Sequence, residues 1–439
     1  MNATPVILIF DIGKTNKKLL LFNESYDLVY ESIEQFAEIK DEDGFEGEDI
    51  IMLKQWMYKS FQEIMDNASF EIKAINFSGY GASFVFLDIE GNEITPLYNY
   101  LKPLDKEISD SFYAQYGGEM HMAKETASPI LGNLNSGMQL YRIKKQVPAK
   151  FDSIKTALHL PQYLSFLFTK QCYSDITSIG CHTHLWNFNK MEYHEWVAKE
   201  GLSDKLAPIK KSDEVLDISF PLYHTQLKVG IGLHDSSAAL VPYIHSFQEP
   251  YILISTGTWS ISLNPFNQST LTEQELQQDC LCYISYTGQP IKASRLFAGN
   301  QHEQEIKKLA QQFNTALDYY KTVEFNIAIY KNIIESGDLA SIETYEEAYH
   351  LVIHHIIQQQ VISSNLVLQY ADARQVFVDG GFSNNPVFMH FLAAAYPDKK
   401  VFAATLSQAS SLGAAMAIHE HWNSKNIPQQ LIQLKQYLF

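Results

Sequence analysis

Cationic residues are scarce in this chain. Of its 439 residues, 33 are lysine or arginine against 50 aspartates and glutamates, and the net charge is −17. A broad nucleic-acid face needs clustered positive charge, so that class of partner is excluded. A phosphate-bearing ligand stays compatible, because a few lysines and backbone amides gathered locally suffice. Cysteine is equally sparse: Cys172, Cys181, Cys280 and Cys282. In a long chain rich in apolar residues, four cysteines point to thiols of a reducing compartment rather than a disulfide framework. Cys280 and Cys282 form a C-x-C, but no further ligands stand at a metal-binding spacing. Long hydrophobic runs are missing too. The N-terminal MNATPVILIFD has no basic leader, and its apolar run stops at Asp11. That is the pattern of neither a signal peptide nor a membrane span, so a cytoplasmic protein without a membrane partner is expected. No low-complexity or Gly/Ser-rich tract occurs, so any junction between domains is short or well packed.

What is present is material for large cores. The chain is 46% hydrophobic and 13% aromatic, and its length predicts two or three domains. Val6–Phe10 and Lys18–Phe22 read as two strands around the turn Gly13-Lys14-Thr15-Asn16. VYESIEQF continues as a third strand, and an acidic loop follows. Ile50, Leu53, Met57, Phe61 and Ile64 recur at helical spacing, which predicts a helix over 50–65. EIKAINFSGYG runs as a strand into a glycine-rich turn, and Phe84–Asp88 is a further strand. Residues 103–170 read as mainly helical, with a buried helix at Leu160–Leu167, and 219–233 return to strand. This order predicts an α/β layer architecture. The stretch ILIFDIGKTNKKLLLF (7–22) also has a partial echo, YILISTGTWSISLNPF (251–266), in which Gly257 matches Gly13 and Ser255 matches Asp11. An offset of a little over half the chain fits two tandem copies of one plan.

Three segments carry possible chemistry, each with a plainer alternative, and a fourth reads as packing alone. A turn such as Gly13–Asn16 can aim successive N–H groups into one anion-binding concavity, with Asp11 placed to hold magnesium through water; otherwise it is an edge hairpin with solvated lysines. In VGIGLHDSSAALVPY (229–243), Asp235 sits at a strand-to-helix junction. It reads as an N-cap, as a general base with basicity tuned by partial burial, or as both. His234 beside it reads as an orienting or packing residue. In VFVDGGFSNNPVFMHFLAAAY (376–396), Gly380-Gly381 between a strand and a helix starting near Asn384 or Pro386 allows a flat ring or a phosphate to approach backbone, or else marks tight helix–sheet packing. SSLGAAMAIHEH (410–421) reads as a small-residue helix made for close packing.

Taken in order, from DIGKTNKK to SSLGAAMA, these segments resemble the FGGY family of carbohydrate kinases over nearly the whole chain. NFSGYGASFVFLD (76–88) is similar to the sugar-binding stretch of its rhamnulokinase branch, and LPQYLSFLFT, then DITSIGCHTHLWNF, resembles the Pro-x-x-Tyr-Leu…Thr-x-Ala-Ser region of that branch. GLHDSSAA is similar to the segment bearing the base, STGTWSIS to a second phosphate motif, and VDGGFSNNPVF to the adenosine motif. The resemblance implies two tandem ribonuclease-H-like (actin-like ATPase) domains, 1–245 and 246–439, with an active-site cleft between them. The first would carry the sugar site, the base and the first phosphate hairpin; the second would carry the other phosphate hairpin and the adenosine site. It implies ATP and Mg2+ as cofactors, a small sugar as substrate and a possible homodimer. Asp235 would be the catalytic base and Asp11 the metal-organising acid. Gly13, Lys14, Thr15 and Asn16, with Gly257 and Thr258, would cradle phosphates. Gly381 and Asn385 would face adenosine, and Tyr80, Gly81, Ser83 and His234 would line the sugar pocket. Lys14 departs from the small residue usual there, either adding a phosphate contact or pointing outward. Ser78 and Ser83 replace aspartates of rhamnulokinase-like sequences, and YNYLKPLD lacks an Arg-Asp pair. The implied activity is phosphorylation of a primary hydroxyl of a ketose such as L-rhamnulose, L-fuculose or xylulose. The alternatives are a polyol or linear sugar-like signal molecule, or a non-catalytic sugar- or nucleotide-binding regulator.

Overall fold

The computed structural model describes residues 3–336, 342–369, 371–406 and 408–439. It forms two compact units. The first comprises Met1–His245, Cys282–Pro290 and Gln408–Leu431; the second comprises Ser246–Leu281, Ile291–Ser407 and Ile432–Phe439. Residues 282–290 and 408–431 thus fold with the first unit, although a single division at residue 245 would assign them to the second.

The first unit is organised on β1 (Thr4–Ile12), in which every residue from Val6 to Ile12 is buried. β1 pairs antiparallel with β2 (Lys17–Asn23), which pairs antiparallel with β3 (Leu28–Glu34). β3 is largely exposed and carries Glu31 and Glu34, the charged habit of an edge strand. A helix, α1 (Ile50–Met65), follows where its periodicity predicts. Asp49 caps it by accepting the N–H groups of Ile51 and Met52, and Ile50, Leu53, Met57, Phe61 and Ile64 are buried. The next strand, β4 (Phe70–Gly79), lies parallel to β1 on its other side. Being central, β1 is covered on both faces and reads as a continuous apolar run.

Residues 103–205 are mostly helical, with a core of their own around Phe112, Tyr141 and Trp196. One exception breaks the expected helical run. Thr156–His159 is a strand, antiparallel to Phe84–Leu87. It is too short for its period to be read in the sequence. Directly after it, α2 (Leu160–Thr169) is buried along its whole length. Its Phe168 ring stacks on Phe10 of β1 and Phe77 of β4, at centroid distances of 5.8 and 5.7 Å. β5 (Val215–Phe220) and β6 (Thr225–Gly230) complete the sheet, whose order is β5-β6-β4-β1-β2-β3. α3 (Asp235–Ser246) then ends the first long segment of this unit.

The second unit repeats the plan. β7 (Tyr251–Thr256) and β8 (Ser260–Asn264) form a hairpin, and β9 (Pro290–Leu296) pairs antiparallel with β8. α4 (Ala298–Phe313) and the long α5 (Tyr345–Leu368) follow. β10 (Gln375–Gly380) lies parallel to β7, α6 (Pro386–Ala395) follows it, and β11 (Lys400–Thr405) lies parallel to β10. β12 (Gln433–Tyr437) closes the order β9-β8-β7-β10-β11-β12, and a seventh strand, Cys280–Ile284, lies outside β9. Six strands of each sheet therefore share one pattern: three antiparallel, then two parallel to the first, then one antiparallel. In the first unit the outer antiparallel strand precedes its partner; in the second it follows. The hairpins noted in the sequence occupy the same place in each sheet.

Before β12, α7 (Ala409–Ala417) belongs to the first unit. It is the small-residue helix foreseen as a close-packing element. A Cβ on Gly413 would sit 1.8 Å from the carbonyl oxygen of Ala238 in α3, so only glycine permits that contact. Asn76 of β4 donates to the Ala414 carbonyl at 2.8 Å. The four cysteines form no disulfide, and no helix among the described residues is long and apolar enough to cross a membrane.

Candidate active site

In the first unit the residues singled out in the sequence converge at the ends of β1 and β4 and at the two-residue strand Leu233–His234, which pairs parallel with Ser78 and Gly79 of β4. The Gly13 N–H closes its turn on the Asn16 carbonyl at 2.9 Å. Thr15 is exposed at the tip, and the Asn16 side chain accepts from Gln35 at 2.7 Å. Lys14 does not lie free in the turn: its ammonium is 2.7 Å from Glu38 and 3.5 Å from Glu48. Asp11 is buried beside the turn. Its Oδ2 accepts from both Ser410 and Ser411, each at 2.7 Å. These serines open α7, so the helix read only for packing also anchors the acid.

Asp235 is the first residue of α3, not the cap before it. Its Oδ1 accepts the N–H of Ser236 at 2.6 Å and lies 3.3 Å from Nε2 of His234. About a third of the side chain (35%) is open. Burial raises its pKa above the ordinary carboxylate value. The opposing effect of His234 is smaller, and the charge of Asp11 adds to the rise. Asp11 and Asp235 therefore act on one another electrostatically, although 224 positions separate them in sequence (235 − 11).

His234 is buried, its pKa is held down by desolvation, and its Nδ1 has no protein partner. Its ring meets Tyr283 edge-on at 5.3 Å. A Cβ on Gly81 would come within 2.9 Å of that ring, so the glycine makes room for the imidazole. Ala82 next to it adopts φ 65°, a left-handed conformation uncommon for alanine, and Gln139 donates to its carbonyl. Ser83 is fully buried. Tyr80 donates to Glu48 at 2.8 Å and meets Tyr100 edge-on at 5.9 Å. Burial raises the pKa of Tyr100, and the charges of Asp235, Glu48 and Glu38 raise it further, so its phenol belongs to the same electrostatic neighbourhood.

Mg2+ retains much of its water and is held by one or two carboxylates together with substrate phosphates. Among the described residues there is no group of three or more His, Cys, Asp or Glu that would form an all-protein cage. Asp11, with one oxygen fixed by two hydroxyls and the other left to a metal's water shell, fits the looser mode.

The second unit holds a cavity of about 590 Å³. Thr256 and Gly257 of the second hairpin, His302 and Ile306 of α4, Tyr320, Gly381, Phe382 and Asn384 to Pro386 line it. The Gly257 N–H closes its turn on the Trp259 carbonyl at 2.8 Å, matching Gly13; Thr258 lies exposed in that turn. Gly380 adopts φ +77°, and a Cβ there would sit 1.9 Å from the Thr256 carbonyl. No atom blocks the space beside Gly381. Phe382 stacks on Phe388 at 4.4 Å, and the His302 ring meets Phe382 edge-on at 5.3 Å. Burial pushes the His302 pKa down to about 4, so the ring is neutral at physiological pH. Asn385 lines the cavity, accepts the Phe388 N–H as the cap of α6, and donates to the Tyr349 hydroxyl at 2.7 Å. Its side chain is thus structurally engaged, and its face toward the cavity comes with that fixed orientation. The volume suits a small organic ligand, and flat apolar walls with a bare backbone suit a ring system.

Several contributors were not foreseen. Ser410 and Ser411 were hidden in a packing motif. Tyr100 lies in YNYLKPLD, noted only for the pair it lacks, and Glu48, Gln139, His302 and Tyr349 sit in no motif at all, since each is brought in by tertiary packing of a distant segment.

Each sheet thus repeats one strand pattern, each first hairpin carries a glycine turn, and the turn of the second unit lines a cavity. Solved structures share this fold. The fold matches a carbohydrate kinase from Novosphingobium aromaticivorans with a TM-score of 0.80, at 21% identity over 98% of this chain and 96% of that one. It matches a ligand-bound xylulose kinase from Lactobacillus acidophilus with a TM-score of 0.82, at 14% identity over 99% and 94%. The fold is therefore the two-domain, actin-like ATPase architecture of sugar kinases. More specifically, the chain belongs to the FGGY family of carbohydrate kinases. The model of that family's N-terminal domain matches residues 6–241, and that of the carbohydrate kinase FGGY C-terminal domain matches residues 248–339. A rhamnulokinase of Oceanobacillus iheyensis is 22% identical over 58% of this chain and 55% of its own length, so the match spans about half of that relative. A probable L-xylulose kinase of Haemophilus influenzae is 25% identical over 96% of this chain and 91% of its own length.

Proposed function

We propose that this chain transfers the γ-phosphoryl group of ATP to a primary hydroxyl of a small neutral sugar, a ketose of the rhamnulose or xylulose type. The observation that carries the reading is Asp235: a partly buried carboxylate of raised pKa, within the electrostatic reach of Asp11. An alcohol is a poor nucleophile at neutral pH, and a mere binding protein has no need of such a base. In the proposed step, a carboxylate oxygen of Asp235 takes the hydroxyl proton as the sugar oxygen bonds to the γ-phosphorus. The bond from that phosphorus to the β–γ bridging oxygen breaks, ADP leaves, and the proton passes from Asp235 to solvent. Phosphoryl transfer demands chiefly positioning and neutralised charge. Mg2+ held near Asp11 would supply the neutralisation. The amides of Lys14, Thr15, Asn16 and Thr258 would hold phosphate oxygens, while Gly13 and Gly257, whose own N–H groups close their turns, would let the phosphates approach the backbone. Gly381 and Asn385 would face the adenosine.

A neutral acceptor follows from charge. Asp11, Asp235, Glu38 and Glu48 are the acids of this neighbourhood; of the nearby lysines, Lys14 and Lys17 are already paired with Glu38 and Glu48, and Lys18, opposite Asp11 in the hairpin, donates to Gln408. His234 is held neutral by burial. An aldonate carboxylate would meet net repulsion there. A polyol or linear sugar-like acceptor remains a second reading, because Ser78 and Ser83 stand in place of acids in the acceptor stretch.

The test is a coupled ADP-release screen over ketoses, 6-deoxyketoses, polyols and aldonates. Turnover is expected on a neutral ketose. Preference for an aldonate would overturn the charge argument, and absence of turnover on every acceptor would favour the non-catalytic regulator.

A further inference from the structure

Glu48 lies outside every motif, yet it is nearly fully buried and makes three polar contacts through its carboxylate. Oε2 is 2.9 Å from the Lys17 ammonium. Oε1 accepts the Tyr80 hydroxyl at 2.8 Å and is 3.5 Å from the Lys14 ammonium. Lys17 is itself almost wholly buried, with 3% of its side chain exposed. Its other donors go to the carbonyls of Gly13, at 3.1 Å, and Lys14, at 2.8 Å. Those carbonyls belong to the anion turn. Lys17 therefore holds the turn from beneath rather than reaching for a phosphate, and Glu48 holds Lys17. Through its other oxygen Glu48 fixes Tyr80, at the entrance of the acceptor stretch. The Glu48 backbone is pinned as well, its N–H donating to the Leu97 carbonyl at 3.2 Å.

From this geometry we infer that Glu48 is a positioning residue that ties the anion turn, through Lys17, to the acceptor-side tyrosine, Tyr80, so that both are set by one buried charge. The inference rests on the ATP-binding reading of the turn given above. An acid placed near an anion site would, by charge alone, weaken nucleotide binding. Its burial and full pairing reverse that expectation, because removing one member of a buried pair leaves the other charge unsatisfied and the turn unsupported.

The two accounts predict opposite signs. The full chain is titrated calorimetrically with a non-hydrolysable ATP analogue and Mg2+, as wild type, Glu48→Gln and Glu48→Asp. Glu48→Gln preserves shape and removes charge; positioning predicts about tenfold weaker binding, whereas simple repulsion predicts tighter binding. Glu48→Asp keeps the charge but shortens the reach, so positioning again predicts weaker binding while repulsion predicts none. It also serves if Glu48→Gln does not fold. With an acceptor found, Glu48→Gln should raise KM for both substrates, and Tyr80→Phe for the acceptor alone. Binding by the glutamine or aspartate variant as tight as wild type or tighter overturns the inference alone. Failure of the wild-type protein to bind the analogue overturns the ATP reading itself, and this inference with it.

Discussion

At the scale of single residues, the acid chemistry is set by burial. Asp235 keeps its proton to a higher pH than an ordinary carboxyl, because its ionised form is desolvated and faces Asp11. A base must be ionised, so kcat/KM should fall on the acid side with an apparent pKa above the ordinary aspartate value. A pH–rate profile checks this, and an acid limb at or below that value would contradict it. Asp235→Ala should lose turnover by at least about a hundredfold while calorimetric ATP affinity is largely retained; wild-type-like activity would remove Asp235 from its role. Gly81→Ala would bring a methyl within 2.9 Å of the His234 ring. Acceptor KM should rise on the order of tenfold, with the melting temperature and nucleotide affinity little changed. Equal loss of both affinities would mean that the ring is not part of the acceptor wall.

At the scale of elements, the short helix Ile176–Ile179 holds the acceptor side in place. Its cap, Asp175, accepts the Thr177 N–H at 2.9 Å, and the Ser212 hydroxyl at 2.5 Å. The Thr177 hydroxyl in turn accepts the His234 N–H at 3.0 Å. Burial pushes the Asp175 pKa up to about 6 despite those bonds. The folded protein thus holds this proton more tightly than the unfolded chain does. The corresponding stability is fully present below the unfolded value of 3.8 and is lost as pH rises through about 6. Urea unfolding at pH 5 and pH 7.5 should show this loss in wild type and a smaller one in Asp175→Asn. An identical pH dependence in the two proteins would show that Asp175 does not titrate in that window.

At the scale of the whole molecule, the first unit is discontinuous in sequence. Its Asp11 depends on Ser410 and Ser411, its Asn76 on Ala414, and the Ser237 hydroxyl donates to the Ile284 carbonyl at 3.0 Å. A fragment of residues 1–245 lacks all of these partners and exposes the face of α3 that Gly413 covers. It should give no cooperative thermal transition by circular dichroism. Addition of a peptide spanning 408–431 should restore some order. A fragment that melts cooperatively on its own would show that the later segments are dispensable.

The sequence determined the periodic and local features. Strong apolar periodicity specified β1, β2 and α1, and the proline placed the start of α6 near Asn384 or Pro386, where the helix begins at Pro386, because proline preference and burial patterns are local properties. The hairpin echo likewise gave away the duplicated sheet, since both copies keep a glycine turn after an apolar strand. Only the tertiary structure decided which charges are paired and which acids are tuned. Lys14 goes to Glu38, Lys17 and Tyr80 to Glu48, and Asp11 to two serines from a helix 399 and 400 positions away. Ion pairing and desolvation act through space, so segments without any motif supply the partners, and no spacing along the chain reveals them.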